Sequence, residues 1–188
     1  MDIEQILSNI YKMPPSSLKA MVSCVDEVEY PKHTFLFNEG HKAHICYFIK
    51  SGIIRAYSRM DDKEITFWIG IEGDTVLPLP MLISGNAEFC NLELLEQSVL
   101  FQLPIDKLHK LYSTDIHISN WGRRYAEISC VQAEKIFIAR QFKTAEERYE
   151  ELLCHCPKIL QRVPLGVVAS YLGISQTSLS RIRAKIVL

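Results

Sequence analysis

A chain of 188 residues that is 48% hydrophobic, 23% charged and 10% aromatic holds apolar material for a sizeable core, which excludes a disordered or low-complexity chain. Its net charge of −1 hides an asymmetry: residues 1–134 carry 12 Lys and Arg against 18 Asp and Glu, a net of −6, and residues 135–188 carry 9 against 4, a net of +5. No stretch approaches the roughly 18 consecutive apolar residues of a membrane span. Met1-Asp2-Ile3-Glu4 lacks the basic-then-apolar layout of a secretory signal. The six cysteines, at 24, 46, 90, 130, 154 and 156, show no paired spacing and suit free thiols in a reducing compartment. These features predict a soluble, cytoplasmic chain with no membrane partner, built as one domain plus a smaller appendage. A basic tail behind an acidic front fits a sensing unit joined to a nucleic-acid-binding unit, and fits chance clustering of surface charge equally well.

In chain order, Ile3, Ile6, Leu7 and Ile10 recur at helical spacing. Pro14-Pro15 separates this helix from a second, for which Ser16 or Ser17 is the expected cap. From about Glu27 to Leu103 the pattern changes to short runs rich in β-branched and aromatic residues, at 28–37, 45–50, 53–58, 65–69, 75–77, 89–95 and 98–103. Turn formers such as Asn38-Glu39-Gly40, Ser51-Gly52 and Glu72-Gly73-Asp74 divide them. Strands this short and this regularly interrupted predict an antiparallel sandwich or barrel, of which a cupin- or jelly-roll-like β-barrel is the expected form, and an α+β fold for the chain as a whole.

After Pro104 the helical period returns with Ile105, Leu108 and Leu111, and then residues 115–142 run without Gly or Pro except Gly122. Ile118, Trp121, Tyr125 and Ile128 form one stripe, with Val131, Ile138 and Phe142 on or beside it. A helix with apolar residues on more than one side needs cover on more than one side. The expected cover is the same helix of a second copy, which makes Ile118, Trp121, Tyr125 and Ile128 the expected homodimer seam; the alternative is a helix buried in its own chain. Thr144-Ala145-Glu146-Glu147 is a capping box that opens a further helix, and Pro157 ends it. The expected division is residues 1–112 for the sensing barrel, 113–143 for the dimer helix and 144–188 for the last unit.

That last unit carries the strongest pattern. Pro164 starts a helix whose buried face is Val168 and Leu172, with small Ala169 where a second helix crosses closely. Gly173 supplies a tight turn, Ile174 enters the core, Ser175 caps a new helix, and Leu179 and Ile182 are its buried residues. This spacing predicts a helix-turn-helix. Ser175, Gln176, Thr177, Ser178 and Arg181 then fall on the first turns of the second helix, the part that enters the major groove in such motifs. Arg181 suits guanine, Gln176 suits adenine, and the two serines with the helix N-terminus suit phosphate. Arg183 and Lys185 extend the basic face.

With these residues the chain resembles the Crp/Fnr family of bacterial transcription regulators over nearly its whole length. The matching parts are Asn38-Glu39-Gly40 and Ile49-Lys50-Ser51-Gly52 in the β region, the long helix, and Ser178-Leu179-Ser180-Arg181-Ile182-Arg183. The resemblance implies a cyclic-nucleotide-binding-type barrel, a dimer helix and a C-terminal winged helix-turn-helix. It implies double-stranded DNA and a second copy of the chain as partners, and admits RNA polymerase and a small-molecule effector. The effector pocket departs from the family pattern, in which an acidic residue after a glycine is followed by an Arg-Ser or Arg-Thr pair that grips the phosphate. Here the acidic position falls on Pro78 and the arginine pair on Glu88-Phe89, so the expected pocket residues, Pro78, Met81, Glu88 and Phe89, offer an anionic phosphate no counter-charge. Cyclic AMP is therefore not the expected effector.

No cofactor or metal is expected. Only Cys24 precedes the barrel, unlike the cysteine group that ligates an iron–sulfur cluster in Fnr-like members. Cys154-His155-Cys156 points in several directions around one helix, and His41 and His44 fit a solvated loop. No nucleophile–base or paired-carboxylate arrangement stands at useful spacing, which disfavours an enzyme. The competing reading is a cupin-like small-molecule-binding protein or enzyme whose C-terminal helices only pack.

Overall fold

The computed structural model describes residues 1–61 and 63–186. Two short helices, α1 (Ile3–Ile10) and α2 (Pro15–Val22), open the chain. Pro14 is itself the cap of α2 and Pro15 its first residue. Neither Ser16 nor Ser17 caps it, because Pro15, whose fixed φ suits the first helical position, starts the helix before them and leaves both serines inside it.

Eight strands follow: β1 (Asp26–Tyr30), β2 (Phe35–Phe37), β3 (Ile45–Ser51), β4 (Ile54–Met60), β5 (Lys63–Gly70), β6 (Thr75–Val76), β7 (Asn91–Leu94) and β8 (Ser98–Pro104). The run at 28–37 is broken after Pro31, which cannot donate a ladder hydrogen bond. The strands form two four-stranded antiparallel sheets, ordered β1-β8-β3-β6 and β2-β7-β4-β5. Of the expected sandwich or barrel, the chain forms the two-sheet sandwich, and the barrel is not closed.

Alternation along the first sheet divides its residues between two cores. Tyr47, Ile49 and Leu100 face the other sheet and meet Ile54, Ala56, Leu92 and Leu94. Their neighbours Cys46, Phe48, Phe101 and Leu103 face outward onto helices. Those helices are α1, α2, α4 (Ile105–Thr114) and the first half of α5 (Ile116–Phe142). A short α3 (Leu79–Ser84) interrupts the β region, where periodicity gave no sign of it.

Asp115 caps α5, its Oδ1 accepting from the N–H groups of His117 at 2.8 Å and Ile118 at 3.3 Å. Gly122 lets α5 approach α4, since a Cβ there would lie 2.4 Å from the Tyr112 hydroxyl. Beyond α5 come α6 (Ala145–His155), α7 (Pro157–Arg162), α8 (Leu165–Leu172) and α9 (Gln176–Ile186). The capping box at Thr144 and Glu147 is formed. These four helices enclose a third core, which they share with Ile53, Ile69 and Leu95 of the sandwich. Among the described residues no strand follows Pro104, so the expected wing is not found among them. No helix among the described residues is long and apolar enough to cross a membrane.

Candidate functional site

Helices α8 and α9 meet over a turn in which Gly173 adopts φ +70°, a backbone conformation that side chains disfavour. Val168, Ala169, Leu172 and Leu179 are buried between them, and Ile174 and Ile182 pack alongside. Arg148 of α6 closes the C-terminus of α8, its Nη2 donating to the Leu172 carbonyl at 2.8 Å. Ser175 caps α9, with its Oγ accepting from the Ser178 N–H at 3.1 Å and lying 2.9 Å from the Ser178 hydroxyl. The two serines are thereby engaged with each other, and Ser178 is half-buried. Gln176, Thr177, Arg181, Arg183 and Lys185 are exposed. Thr177, Arg181 and Lys185 recur at four-residue steps along one side. Gln176 lies against α8, its Oε1 3.5 Å from the position of a Cβ on Gly166. Among the described residues neither Arg181 nor Arg183 has an ion-pair partner, and Lys185 sits a loose 3.9 Å from Glu146.

The C-terminal helices are held on the sandwich by polar contacts that sequence spacing could not show. The Ser170 hydroxyl of α8 donates to the Glu64 carbonyl at 2.6 Å and accepts from the Thr66 N–H at 2.9 Å. Arg140 Nη2 reaches the carbonyls of Thr66 and Tyr171, each at 3.3 Å. Arg162 at the end of α7 grips Glu72 with both terminal guanidinium nitrogens, Nη2 at 2.7 Å and Nη1 at 3.0 Å, and also pairs with Glu96. The arginine holds the Glu72 carboxyl down at about 2.

The residues expected to form the dimer seam divide. Ile118 and Trp121 are fully buried within their own chain. Trp121 Nε1 donates to the Leu7 carbonyl at 3.0 Å, and its ring stacks on Tyr125 with centroids 6.1 Å apart. These two are core residues and present no surface to a second copy, because α1 returns to cover the stripe. The Tyr125 hydroxyl donates to the Thr75 carbonyl at 3.0 Å. Ile128 lines a cavity between the sandwich and α5. Apart from Ile116 at its first residue, the large exposed apolar residues of α5 lie further along, at Val131, Phe137, Ile138 and Phe142, the last 83% exposed.

That cavity measures about 480 Å³. Of the four expected effector residues its wall includes Glu88 and Phe89, and it excludes Pro78 and Met81. Pro78 caps α3 and Met81 packs into the core beneath it, because that helix turns them away from the opening. Glu88 is 4% exposed, and its carboxyl is pushed up from the ordinary value by burial, against a backbone hydrogen bond from Met81 that lowers it.

The family model for the cyclic nucleotide-binding domain matches residues 27–115. Over nearly the whole chain the architecture is similar to solved regulators. FixK2 of Bradyrhizobium japonicum aligns with a TM-score of 0.73 at 20% identity, covering 86% of this chain and 84% of that one. A crp/fnr-family protein of Eubacterium rectale gives 0.73 at 15% identity, with 93% and 85% covered. The chain has the Crp/Fnr fold. CLP of Xanthomonas campestris, described as a c-di-GMP responsive global regulator, shares it with a TM-score of 0.67 at 20% identity, covering 92% of this chain and 91% of that one. No curated protein sequence matches the chain.

Within this Crp/Fnr fold the cavity lies between the sandwich and the long helix, and its charged wall residues are Asp74 and Glu88. Asp74 was not anticipated as a wall residue; its Oδ2 accepts from the Ile71 N–H at 2.8 Å. Trp68 and Phe67 of β5 and Ser129 and Gln132 of α5 were likewise unforeseen in the wall. Alternation would put the consecutive Phe67 and Trp68 on opposite faces, but the register shift that pairs Ala56 with Trp68 and Tyr57 with Thr66 leaves Phe67 as a bulge, and both line the cavity.

Proposed function

We propose that the chain is a sequence-specific DNA-binding transcription regulator that acts as a homodimer, with a sandwich that senses a small molecule other than cyclic AMP. The observation that carries this reading is the exposed side of α9, where Thr177, Arg181 and Lys185 line up with no carboxylate close against the arginine. A planar guanidinium left free at the first turns of such a helix suits bidentate contact with guanine in the major groove. The Crp/Fnr fold and the basic balance of residues 135–188 support the same conclusion. In this reading the dimer forms through the second half of α5, where Val131, Phe137, Ile138 and Phe142 lie exposed within about three turns of one another, whereas Ile116 is exposed alone at the first residue of the helix. The sensed molecule is not cyclic AMP, because Glu88 and Asp74 offer a phosphate no positive partner.

Mobility shift with genomic fragments tests the proposal, followed by Arg181→Ala on a retained fragment. The expected site is roughly palindromic, with half-sites about 34–36 Å apart. The variant should lose about 1–3 kcal/mol per half-site on cognate DNA and much less on scrambled DNA. Equal weakening of both would make Arg181 a phosphate contact, and the absence of any retained fragment would defeat the regulator reading.

A further inference from the structure

We propose that the cavity between the sandwich and α5 takes a flat, largely apolar ligand bearing a hydrogen-bond-donating nitrogen, and that it rejects anions. This rests on the reading of the sandwich as a sensor and gives that sensor a ligand class.

The volume, about 480 Å³, lies within the range of small-molecule sites. The wall is mostly apolar, and Phe67, Trp68 and Phe89 give it a flat aromatic side; the rings of Phe67 and Phe89 lie 6.0 Å apart. Its charged residues are two carboxyls, Asp74 and Glu88, and no Lys, Arg or His stands among the described lining residues. Asp74 is already bound to its own turn through the Ile71 N–H. Glu88 is satisfied only in part, by the Met81 N–H. It is 4% exposed, and its Oε1 has no hydrogen-bond partner. Thr75, 8% exposed, lines the same cavity, and its Oγ1 also has no partner.

Buried polar atoms without partners are uncommon, and two in one cavity wall mark groups that are completed by something else. An N–H donor completes Glu88, and a cationic nitrogen does so with a charge-assisted bond. Thr75 can donate or accept and so accommodates a second polar atom of the ligand. An anion gains nothing here: it would place a further negative charge beside two carboxyls with no cationic side chain in the described wall.

The test uses the full chain with tryptamine, indole and indole-3-acetate, three probes that share one ring and differ in charge. Tryptamine, and more weakly indole, should raise the melting temperature saturably, and indole-3-acetate at the same concentrations should not. Glu88→Gln keeps the acceptor for Met81 and removes the charge. It should weaken tryptamine by about tenfold, the loss expected for one charge-assisted hydrogen bond. Thr75→Val, isosteric and free of the orphan hydroxyl, is the second variant and should weaken tryptamine while folding normally. Preferential binding of the acid, no response to either donor, or undiminished tryptamine binding in both variants overturns the proposal. Mobility shift on the same preparations separates the two readings. Specific DNA retention without amine binding defeats the ligand class alone, and amine binding without DNA retention defeats the regulator reading alone.

Discussion

Arg162→Met should loosen the C-terminal helices from the sandwich by an amount that the geometry bounds. Arg162 makes two hydrogen bonds to Glu72 and also pairs with Glu96, and the side chains of Arg162 and Glu72 are 29% and 26% exposed. An exposed ion pair contributes about 0–1 kcal/mol, and removing one partner of a fully buried pair costs about 3–5 kcal/mol. A pair about three-quarters covered falls between, at about 2 kcal/mol, with more repulsion left behind because Glu72 and Glu96 would then share a site without a cation. The Glu72 carboxyl, held at about 2 against an ordinary 4.5, gives a ceiling of about 3 kcal/mol before solvent screening is allowed for. Its folded value is depressed, so its contribution is present above pH 4.5 and is lost as pH falls towards 2. Urea midpoints of wild type and variant at pH 7, and again between pH 5 and 3, check both parts. A difference below about 0.5 kcal/mol at pH 7, or a gap that fails to narrow with acid, would refute the assignment of Arg162 as the clasp between the two regions.

Trp121→Ala should cost about 3–5 kcal/mol of stability in denaturant melts, because it empties a fully buried site. Ile138→Glu should leave stability within about 0.5 kcal/mol and instead shift the sedimentation coefficient towards monomer; an unchanged dimer places the seam elsewhere. Gly122→Ala should destabilise the fold in thermal melts, reversing the gain of about 1 kcal/mol that alanine gives in an open helix, since its Cβ would meet the Tyr112 ring. Cyclic AMP should leave the melting temperature unchanged, and a saturable rise at micromolar concentration would contradict the Glu88 argument. Lys185→Ala should weaken binding to cognate and scrambled DNA alike and reduce its salt dependence, as loss of a phosphate contact does.

What the sequence revealed was local. The span of α5, the Thr144 capping box and the turn at Gly173 were readable from neighbouring residues, whereas the cap at Asp115 was not singled out. The short helices α3 and α7 escaped, because six residues hold too few turns for a period and prolines that read as breaks stand at their starts, Pro78 and Pro80 around Leu79 in α3 and Pro157 in α7. The fate of the α5 stripe was hidden for a different reason. Its residues are apolar whether covered by a partner or by α1, and only the bond from Trp121 to Leu7, across 114 positions, decides which. The same limit concealed Ser170 on β5 and Arg162 on Glu72, 104 and 90 positions apart. The cavity was half legible: matching the family's effector motif found Glu88 and Phe89, but it could not see that α3 swings Pro78 and Met81 out of the wall.

The hydroxyl of Ser170 stands where a neighbouring strand would be. Strand β5 ends its sheet, and the Glu64 carbonyl and Thr66 N–H that Ser170 satisfies point away from β4. Left open, such a row of donors and acceptors is a template for another chain, and proteins that expose one risk edge-to-edge aggregation. Helix α8 therefore works as a solubility shield as well as a scaffold for α9. A sandwich cut free after residue 143 should stick to itself through β5, and any rearrangement that swings the C-terminal helices away has to find new partners for Glu64 and Thr66.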